Sequence, residues 1–406
     1  MEGSLDNLLW IAIAIVIAPL IANAIPRIKV PVVVVEIALG ILIGPQVLGL
    51  AHENAFVKGL AELGLAFLFF LAGFEIDFAR IKGQPLRLAG FGWLLSIAIA
   101  VGCAAVLYFS GLIVQVRYVA IALTTTAIGT LMPMLRDANE TDTPFGSFIL
   151  AAGAVGEFGP IVLAALLLST ENEQLFTLLL LMVFAAFVLS SIRLAQRWKP
   201  RPILQLAHQT MHSSAQLPMR LSVLILIALI SVAVSLELEF LLGAFAAGVI
   251  VAQAVKDLSH EDIEPLRVKY EGISFGLLVP IFFVVSGMSF DLHALFSSMT
   301  SLLELPLFLA LLLVVRGAPA WLLYRRTLPQ APDRTALAFL SATGLPLIVA
   351  ITTLGLQQQQ MRPETAAALV GAGMLSVFIF PLVGFAQRKR GAALELRAAR
   401  LAEASD

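Results

Sequence analysis

One carboxylate lies deep inside an apolar segment of the sequence. Glu157 stands between Gly156 and Gly159 in the stretch 144–169, which holds no other charged residue. A charged side chain at the depth of a bilayer is costly, and such residues are retained chiefly where they take part in function. A carboxylate binds either a proton or a hard cation, so the same group can couple the two ions. We therefore take Glu157 as the predicted centre of the function.

Two further segments could supply oxygen ligands beside this carboxylate. One runs from Thr124 to Pro133 and the other from Ser341 to Pro346, and both combine Thr, Gly and Pro within apolar sequence. Pro removes a backbone donor and Gly weakens a helix, so carbonyl and N–H groups are freed inside the membrane; a plain kink is the alternative. We predict that Thr125 and Thr126 join Glu157 in binding the ion or proton. The residues that mark the two predicted broken helices are Gly129, Pro133, Thr343, Gly344 and Pro346.

Arg316 is the one basic residue deep within a predicted membrane span. A buried guanidinium needs an acidic partner or a set of carbonyls, and it keeps its proton at working pH. Arg316 could serve as a counter-ion for the empty site or as a fixed charge that stabilises the broken helices. A plain structural pair between Arg316 and Glu157 is the alternative. Elsewhere, Glu75 and Asp77 could line an acidic funnel that attracts cations, or could simply cap the end of their helix.

The composition is that of a membrane protein. Hydrophobic residues make up 59% of the chain and charged residues 13%, against roughly 45–50% and about 25% in soluble domains. The sequence predicts an all-α polytopic membrane protein and not an enzyme. We predict about thirteen transmembrane helices, each near the ~20 residues that cross a bilayer: 5–25, 30–50, 59–79, 87–110, 117–136, 144–169, 174–196, 218–236, 239–256, 270–291, 301–324, 333–356 and 363–387. A tight turn separates the eighth and ninth spans, or else they form one broken helix.

The positions of Lys and Arg predict the orientation of these spans. Alternate loops, beginning with the one that holds Arg27 and Lys29, carry most of the 26 basic residues, whereas the opposite loops hold only Lys58, Arg117 and Arg362. Because cytoplasmic loops carry the excess of Lys and Arg, we expect the N-terminus outside and the C-terminus in the cytoplasm. The expected location is the cell (inner) membrane, where lipid surrounds the chain.

A weak internal repeat predicts the domain organisation. FFLAGFEID at 69–77 matches FVVSGMSFD at 283–291, in two spans that run in opposite directions. Inverted repeats are typical of secondary transporters, in which one broken helix of each repeat lies near the midplane. We therefore predict two inverted six-helix repeats around a linker helix, with crossed broken helices near the midplane. The boundaries are 1–173 for the first repeat, 174–217 for the linker helix and loop, 218–390 for the second repeat and 391–406 for a cytoplasmic tail.

Six motifs along the chain carry a resemblance to a known family. In order they are LGILIGPQVLG (39–49), FLFFLAGFEIDFARI (67–81), LTTTAIGTLMPMLRD (123–137), LLGAFAAGVIVAQ (241–253), LVPIFFVVSGMSFDL (278–292) and ALVGAGMLSVFIFPLVG (368–384). The chain resembles monovalent cation:proton antiporters of the sodium/proton exchanger fold, especially the Kef-type branch. The resemblance implies exchange of Na⁺ or K⁺ for H⁺ by alternating access, a dimerising domain, a core domain with two crossed half-broken helices, and a homodimer.

The sixth span departs from the family pattern. Where the family carries Asp preceded by Asp, Asn or Gln, this chain has Gly156 and Glu157, and Arg316 stands where the family carries Lys or Arg. Asp–Asp pairs accompany electrogenic exchange in the family and single acids accompany electroneutral exchange, so the resemblance implies electroneutral exchange here. We expect no Kef-type nucleotide-binding domain after the last span and no regulation by a fused domain.

Two other functions stay open at this point. A sodium-coupled solute symporter on a related crossed-helix fold would need a roomier and more polar midplane than these Gly- and Ala-rich helices offer. A receptor or regulatory membrane protein that has lost transport would not need the broken helices or Arg316. Cys103 and the five His residues show no ligand spacing, so we predict no cofactor and no metal site beyond the transported cation. No nucleic-acid partner is predicted.

Overall fold

In the part of the chain that the structure describes, the regular secondary structure is helical. The computed structural model describes residues 2–24, 31–75, 81–167, 174–197, 210, 213, 215–236, 238–255, 260–296 and 299–403. The helices of the first half are α1 (Glu2–Ala24), α2 (Val32–Ile43), α3 (Ala55–Glu75), α4 (Gln84–Phe109), α5 (Val116–Leu123), α6 (Ile128–Asp137), α7 (Pro144–Leu167) and α8 (Gln174–Arg197). Those of the second half are α9 (Leu217–Ser235), α10 (Phe240–Val255), α11 (His260–Ile273), α12 (Val279–Met288), α13 (Leu292–Phe296), α14 (Met299–Leu312), α15 (Ala318–Leu323), α16 (Ala331–Ser341), α17 (Pro346–Gln357) and α18 (Pro363–Glu403).

Ten described helical segments are long and apolar enough to cross a membrane. Shorter apolar helices, including α2 and α10, lie at other predicted spans. The prediction of an all-helical polytopic membrane protein is therefore confirmed. The number of crossings and the inverted repeats stay predictions.

Several helix boundaries differ from the predicted spans, and the local sequence explains two of them. The helix α2 ends at Ile43, well before residue 50, because Gly44 and Pro45 follow and Pro cannot continue a helical ladder. The helix α18 continues to Glu403, beyond the predicted end at 387. Its last turns are rich in Ala, Leu, Arg and Glu, which favour helix regardless of hydropathy. The predicted tail at 391–406 therefore begins as a continuation of this helix.

The predicted turn between the eighth and ninth spans is confirmed. The helix α9 ends at Ser235 and α10 begins at Phe240, and the two helices pack against each other. Leu238 N–H closes the turn by donating to the Ala233 carbonyl at 2.9 Å. That packing excludes the alternative of one longer broken helix through this region.

Two widened π turns interrupt long helices, and each precedes a proline. The turn Ser274–Leu278 lies between α11 and α12, two residues before Pro280. The turn Leu313–Gly317 lies between α14 and α15, two residues before Pro319. Proline lacks an N–H and crowds the preceding turn, so the helix accommodates it by widening. The second of these turns contains Arg316.

The chain forms two compact units that are interleaved along the sequence. The first consists of residues 1–16, 39–76 and 165–288, and the second of residues 17–38, 77–164 and 289–406. Each unit therefore takes helices from both predicted repeats.

In the first unit, α3 packs against α10 and α12. Two glycines permit the closest approach between α3 and α10: a Cβ on Gly73 would overlap the Phe245 carbonyl, and a Cβ on Gly248 would overlap the Phe70 carbonyl. Small residues at such positions let helix backbones approach each other in a membrane. The same unit contains a buried hydrophobic cluster that includes Ile43, Val57 and Val284.

In the second unit, the long helix α18 contacts α14, α16 and α17. The short helix α5 packs against α4 and α17. The half-helices α5, α6, α16 and α17 thus lie within one unit, together with residues 144–164 of α7, which include Glu157.

We expect Gly73→Ala to destabilise the protein although alanine favours helix. The added Cβ would lie against the Phe245 carbonyl, and forcing α3 away from α10 costs about 1–3 kcal/mol. Thermal unfolding in detergent should show a lower midpoint for this variant. Gly59→Ala, on the same helix with open space around it, is the control. Equal midpoints for the two variants would contradict the predicted contact.

Candidate ion-binding site

Both predicted helix breaks exist in the second unit, and each is shorter than predicted. The first covers Thr124–Ala127, between α5 and α6, so Gly129 and Pro133 lie within α6. The second lies between Ser341 and Pro346. Pro346 is the first residue of α17, where its missing N–H breaks no intrahelical hydrogen bond.

The backbone groups freed by the first break are satisfied by its neighbours. Thr126 N–H donates to the Gly156 carbonyl at 2.8 Å, and Ala127 N–H donates to the Thr343 carbonyl at 2.8 Å. The first contact joins the break to α7 and the second joins it to the other break. Because unsatisfied backbone groups are costly in an apolar environment, these bonds determine where the two breaks meet.

The predicted central residue, Glu157, is buried on α7 with 2% of its surface exposed. Its Oε2 accepts the N–H of Ile128 at 3.2 Å. Ile128 is the first residue of α6, so the carboxylate faces the N-terminus of a half-helix. The positive end of the helix dipole stabilises negative charge at this place.

Arg316 is also buried, with 4% of its surface exposed. Its Nε and Nη2 donate to Thr126 Oγ1 at 3.0 and 2.8 Å. Nη2 also donates to the Ala152 carbonyl at 3.0 Å, and Nη1 contacts Ser96 Oγ at 3.4 Å. These partners are two hydroxyls and a carbonyl, so Arg316 ties α4, α7 and the first break together through uncharged groups.

The hydroxyl of Thr126 is fully used by these contacts. It accepts two N–H groups from Arg316 and donates its own proton to the Ser341 carbonyl at 2.5 Å. A hydroxyl has one donor and two acceptor lone pairs. In this arrangement Thr126 therefore holds Arg316 and the end of α16, and it has no lone pair left for a cation.

The same contacts explain why a glycine precedes Glu157. A Cβ on Gly156 would overlap both the Thr126 side chain and Arg316 Nη2. The space beside α7 that a larger residue would occupy is filled by the guanidinium.

The remaining threonines lie at the ends of the half-helices. Thr125 Oγ1 donates to the Ala122 carbonyl at 2.9 Å, and Thr343 Oγ1 donates to the Phe339 carbonyl at 3.3 Å. Both donate to carbonyls in the last turn of a helix, which lack the usual N–H partner four residues farther along the chain. Gly344 lies against Thr125, since a Cβ there would be 2.8 Å from Thr125 Oγ1. Gly344 N–H donates to Ser376 Oγ of α18 at 3.2 Å.

A small cavity lies beside Arg316. Its lining includes Arg316, Ser341 and Tyr324, and the rest is mostly apolar. The hydroxyls of Ser341 and Tyr324 are buried without a hydrogen-bond partner among the described protein groups. The cavity has room for about one water molecule, which such hydroxyls can bind.

Some site residues could not be found by sequence reasoning. Ser96, Ser341 and Ser376 contact the breaks or Arg316, yet a serine within an apolar helix carries no distinctive signal. Glu75 is the last residue of α3, in the first unit. Asp77 lies outside the described residues. The predicted funnel therefore stays a prediction.

We expect Thr126→Val to be markedly less stable than the wild type. The change leaves two Arg316 N–H groups and the Ser341 carbonyl unpaired, and hydrogen bonds to a charged group contribute about 1.5–3 kcal/mol. Thr124→Val is the control, because its hydroxyl donates only to the Ile121 carbonyl. Thermal unfolding in detergent measures both. Equal losses would show that Thr126 does not hold Arg316.

Comparison with known proteins agrees with this architecture. A putative Na⁺/H⁺ antiporter of Bacillus subtilis is 26% identical over 93% of this chain and 62% of its own length. A Na⁺/H⁺ antiporter of Enterococcus hirae is 26% identical over 88% of this chain and 91% of its own length. The solved structure of the sodium proton antiporter MjNhaP1 from Methanocaldococcus jannaschii superposes with a TM-score of 0.65 at 16% identity, covering 96% of this chain and 98% of that one.

The family described as "Sodium/hydrogen exchanger, transmembrane" matches residues 12–386. This match covers nearly all of the membrane part and confirms the resemblance carried by the six motifs. The chain therefore belongs to the transmembrane sodium/hydrogen exchanger family.

Proposed function

We propose that this chain is a secondary transporter that exchanges a monovalent cation, Na⁺ or K⁺, for H⁺ by alternating access at Glu157. The membership of the exchanger family supports the reaction class. The buried Glu157 carboxylate at the N-terminus of α6 is the observation that carries the proposal.

Competition at one carboxylate couples the two ions. When Glu157 is ionised it attracts a cation, and when it is protonated it does not. The Ile128 N–H and the positive end of the α6 dipole stabilise the ionised form. A cation that binds must then displace the proton, and a returning proton must displace the cation.

Thr125 is the threonine better suited to bind the cation. Its hydroxyl proton is donated to the Ala122 carbonyl, so its oxygen lone pairs face away from that bond and can coordinate a hard cation. Thr126 acts instead by holding Arg316. We assign Gly129, Pro133, Thr343, Gly344 and Pro346 to the broken helices that shape the site.

Arg316 supplies a fixed positive charge. Its described hydrogen bonds go to Thr126, Ser96 and the Ala152 carbonyl, so its position does not depend on the protonation of a partner. An arginine keeps its proton, and Arg316 therefore stabilises the crossing of the breaks and does not carry the transported proton.

The finer features of the proposal follow from the sequence. One exchanging carboxylate implies electroneutral, one-for-one exchange. Loop charges support a cell-membrane protein with its N-terminus outside and its C-terminus in the cytoplasm, and the family resemblance supports a homodimer.

Glu157→Gln should abolish cation-dependent proton movement. Purified protein in liposomes with an internal pH dye receives pulses of Na⁺, K⁺ or Li⁺, and the wild type should release or take up protons on each effective pulse. The variant loses the titrating group but keeps nearly the same shape. Glu62→Gln is the control, because this acid is exposed on α3 and should leave transport unchanged.

Several results would contradict the exchanger proposal. A wild-type protein that responds to no cation over a broad pH range would favour a receptor or regulatory protein of this fold. Cation flux that persists without any proton movement would favour a symporter or channel. Unchanged transport in Glu157→Gln would remove Glu157 from the centre of the reaction.

Proton and cation should compete in the steady-state kinetics. Below the pH at which the site takes up its proton, each unit fall in pH should raise the half-saturating cation concentration by up to about tenfold, because the two ligands exclude each other. The maximal rate should be insensitive to a valinomycin-clamped potential if exchange is electroneutral. A half-saturating concentration that is constant with pH would contradict the shared site.

A further inference from the structure

A buried charged cluster lies in the second unit, away from the crossing of the breaks. Arg388 of α18 donates from Nε to Glu140 Oε1 at 2.8 Å and from Nη1 to Asp333 Oδ1 at 2.9 Å. The three side chains are 11%, 13% and 1% exposed, for Arg388, Glu140 and Asp333 in that order. We call these three residues the Arg388 cluster.

The Arg388 cluster joins the ends of three site-bearing helices. Glu140 lies three residues after the end of α6, and its N–H donates to the Leu135 carbonyl at 2.9 Å. Asp333 lies in the first turn of α16. The Arg388 guanidinium also lies 4.8 Å from the ring centre of Phe145, in the first turn of α7. One guanidinium thus contacts the segments that begin or end α6, α7 and α16.

Each of these helices carries a site group farther along. The helix α6 supplies the Ile128 N–H, α7 supplies Glu157, and α16 supplies the Ser341 carbonyl that accepts from Thr126. At ~1.5 Å per residue, Asp333 lies roughly 12 Å along the helix from Ser341, and Phe145 roughly 18 Å from Glu157. A small tilt of one of these helices at the Arg388 cluster therefore moves the site group at the other end of the same helix.

The cluster is built to hold one geometry. A Cβ on Gly391, one turn after Arg388, would overlap the Asp333 carboxylate, so glycine lets that carboxylate reach α18. The other carboxylate oxygen of Glu140, Oε2, accepts a hydrogen bond from Thr143 Oγ1 at 2.7 Å. A buried ion pair contributes little net stability compared with apolar packing, whereas removing one partner is costly. The role of the ion pairs in the Arg388 cluster is therefore to define the positions of three helices.

We propose that Arg388, Asp333 and Glu140 are positioning residues of the exchange reaction, which set the spacing of α6, α7 and α16 and thereby the cation affinity at Glu157. This inference rests on the proposed function for its kinetic consequence. Its structural consequence, the coupling of the cluster to the Thr124–Ile128 segment, is independent of transport.

Two variants test the coupling by different means. Asp333→Asn removes a charge and keeps the shape, while Gly391→Ala keeps every charge and displaces the Asp333 carboxylate. Both should raise the half-saturating cation concentration by about tenfold, within the usual range of coupling between separate sites, with a smaller change in maximal rate. Gly102→Ala, on α4 with open space around it, should match the wild type.

Hydrogen–deuterium exchange of the folded, purified variants gives the second readout. Amides of residues 124–128 should exchange faster in Asp333→Asn and Gly391→Ala than in the wild type and in Gly102→Ala. The proposal would be overturned if both variants kept the half-saturating cation concentration and the hydrogen–deuterium exchange rates at 124–128 of the wild type. This holds even if both variants yield less folded protein.

The two hypotheses can fail separately. A wild type without transport would end the exchanger proposal, and hydrogen exchange at 124–128 would then decide the positioning role alone. Alternatively, the wild type is shown to transport while both variants keep its cation affinity and its hydrogen–deuterium exchange at 124–128. That result would end the positioning role and leave the exchanger proposal in place.

Discussion

The arrangement of the second unit depends on satisfying the backbone of two helices that are interrupted in apolar surroundings. Each interruption frees N–H and carbonyl groups that water satisfies in a soluble protein. Here Thr126 and Ala127 donate to the Gly156 and Thr343 carbonyls, and threonine hydroxyls satisfy the carbonyls at the ends of α5 and α16. These bonds have short, fixed lengths. They therefore place α7 and both breaks together, and the position of Glu157 follows from that.

Two charges share this small region and are stabilised in different ways. Arg316 is surrounded by hydroxyl and carbonyl oxygens, so its charge is distributed over neutral dipoles. Glu157 receives the N–H at the start of α6 and the positive end of that helix dipole. Neutral partners keep their hydrogen-bonding capacity whichever ion is bound. The groups around Arg316 can thus stay unchanged while Glu157 gains or loses a proton, as the proposed exchange requires.

Proline and glycine contribute through geometry more than through flexibility. Pro319 widens the preceding turn, and Arg316 lies within that π turn, a conformation that is frequent at functional sites. Gly156 leaves the space that Arg316 and Thr126 fill, and Gly391 leaves the space that the Asp333 carboxylate fills. Along α18, the same helix contacts Gly344 through Ser376 and Asp333 through Arg388. One long helix therefore contacts the second break and the far end of α16.

The sequence alone determined the helical membrane class, the two helix breaks and the two deeply buried charges, Glu157 and Arg316. Hydropathy, Pro and Gly positions and the cost of a buried charge are local or additive properties, and they can be read from one chain. The family motifs carried the exchanger assignment. Helix ends were less well predicted, because Gly44 and Pro45 end α2 early and good helix formers extend α18 beyond its apolar part.

Only the tertiary structure decided which groups meet. Thr126 was predicted to bind the ion, yet its hydroxyl accepts two N–H groups of Arg316 and donates to the Ser341 carbonyl. Arg388 lies one residue beyond the predicted span 363–387, and the structure buries it between Glu140 and Asp333. Such pairings join residues separated by 55 to 248 positions. They depend on the packing of whole helices, because hydrogen bonds are directional over about 3 Å, a distance that no sequence pattern specifies.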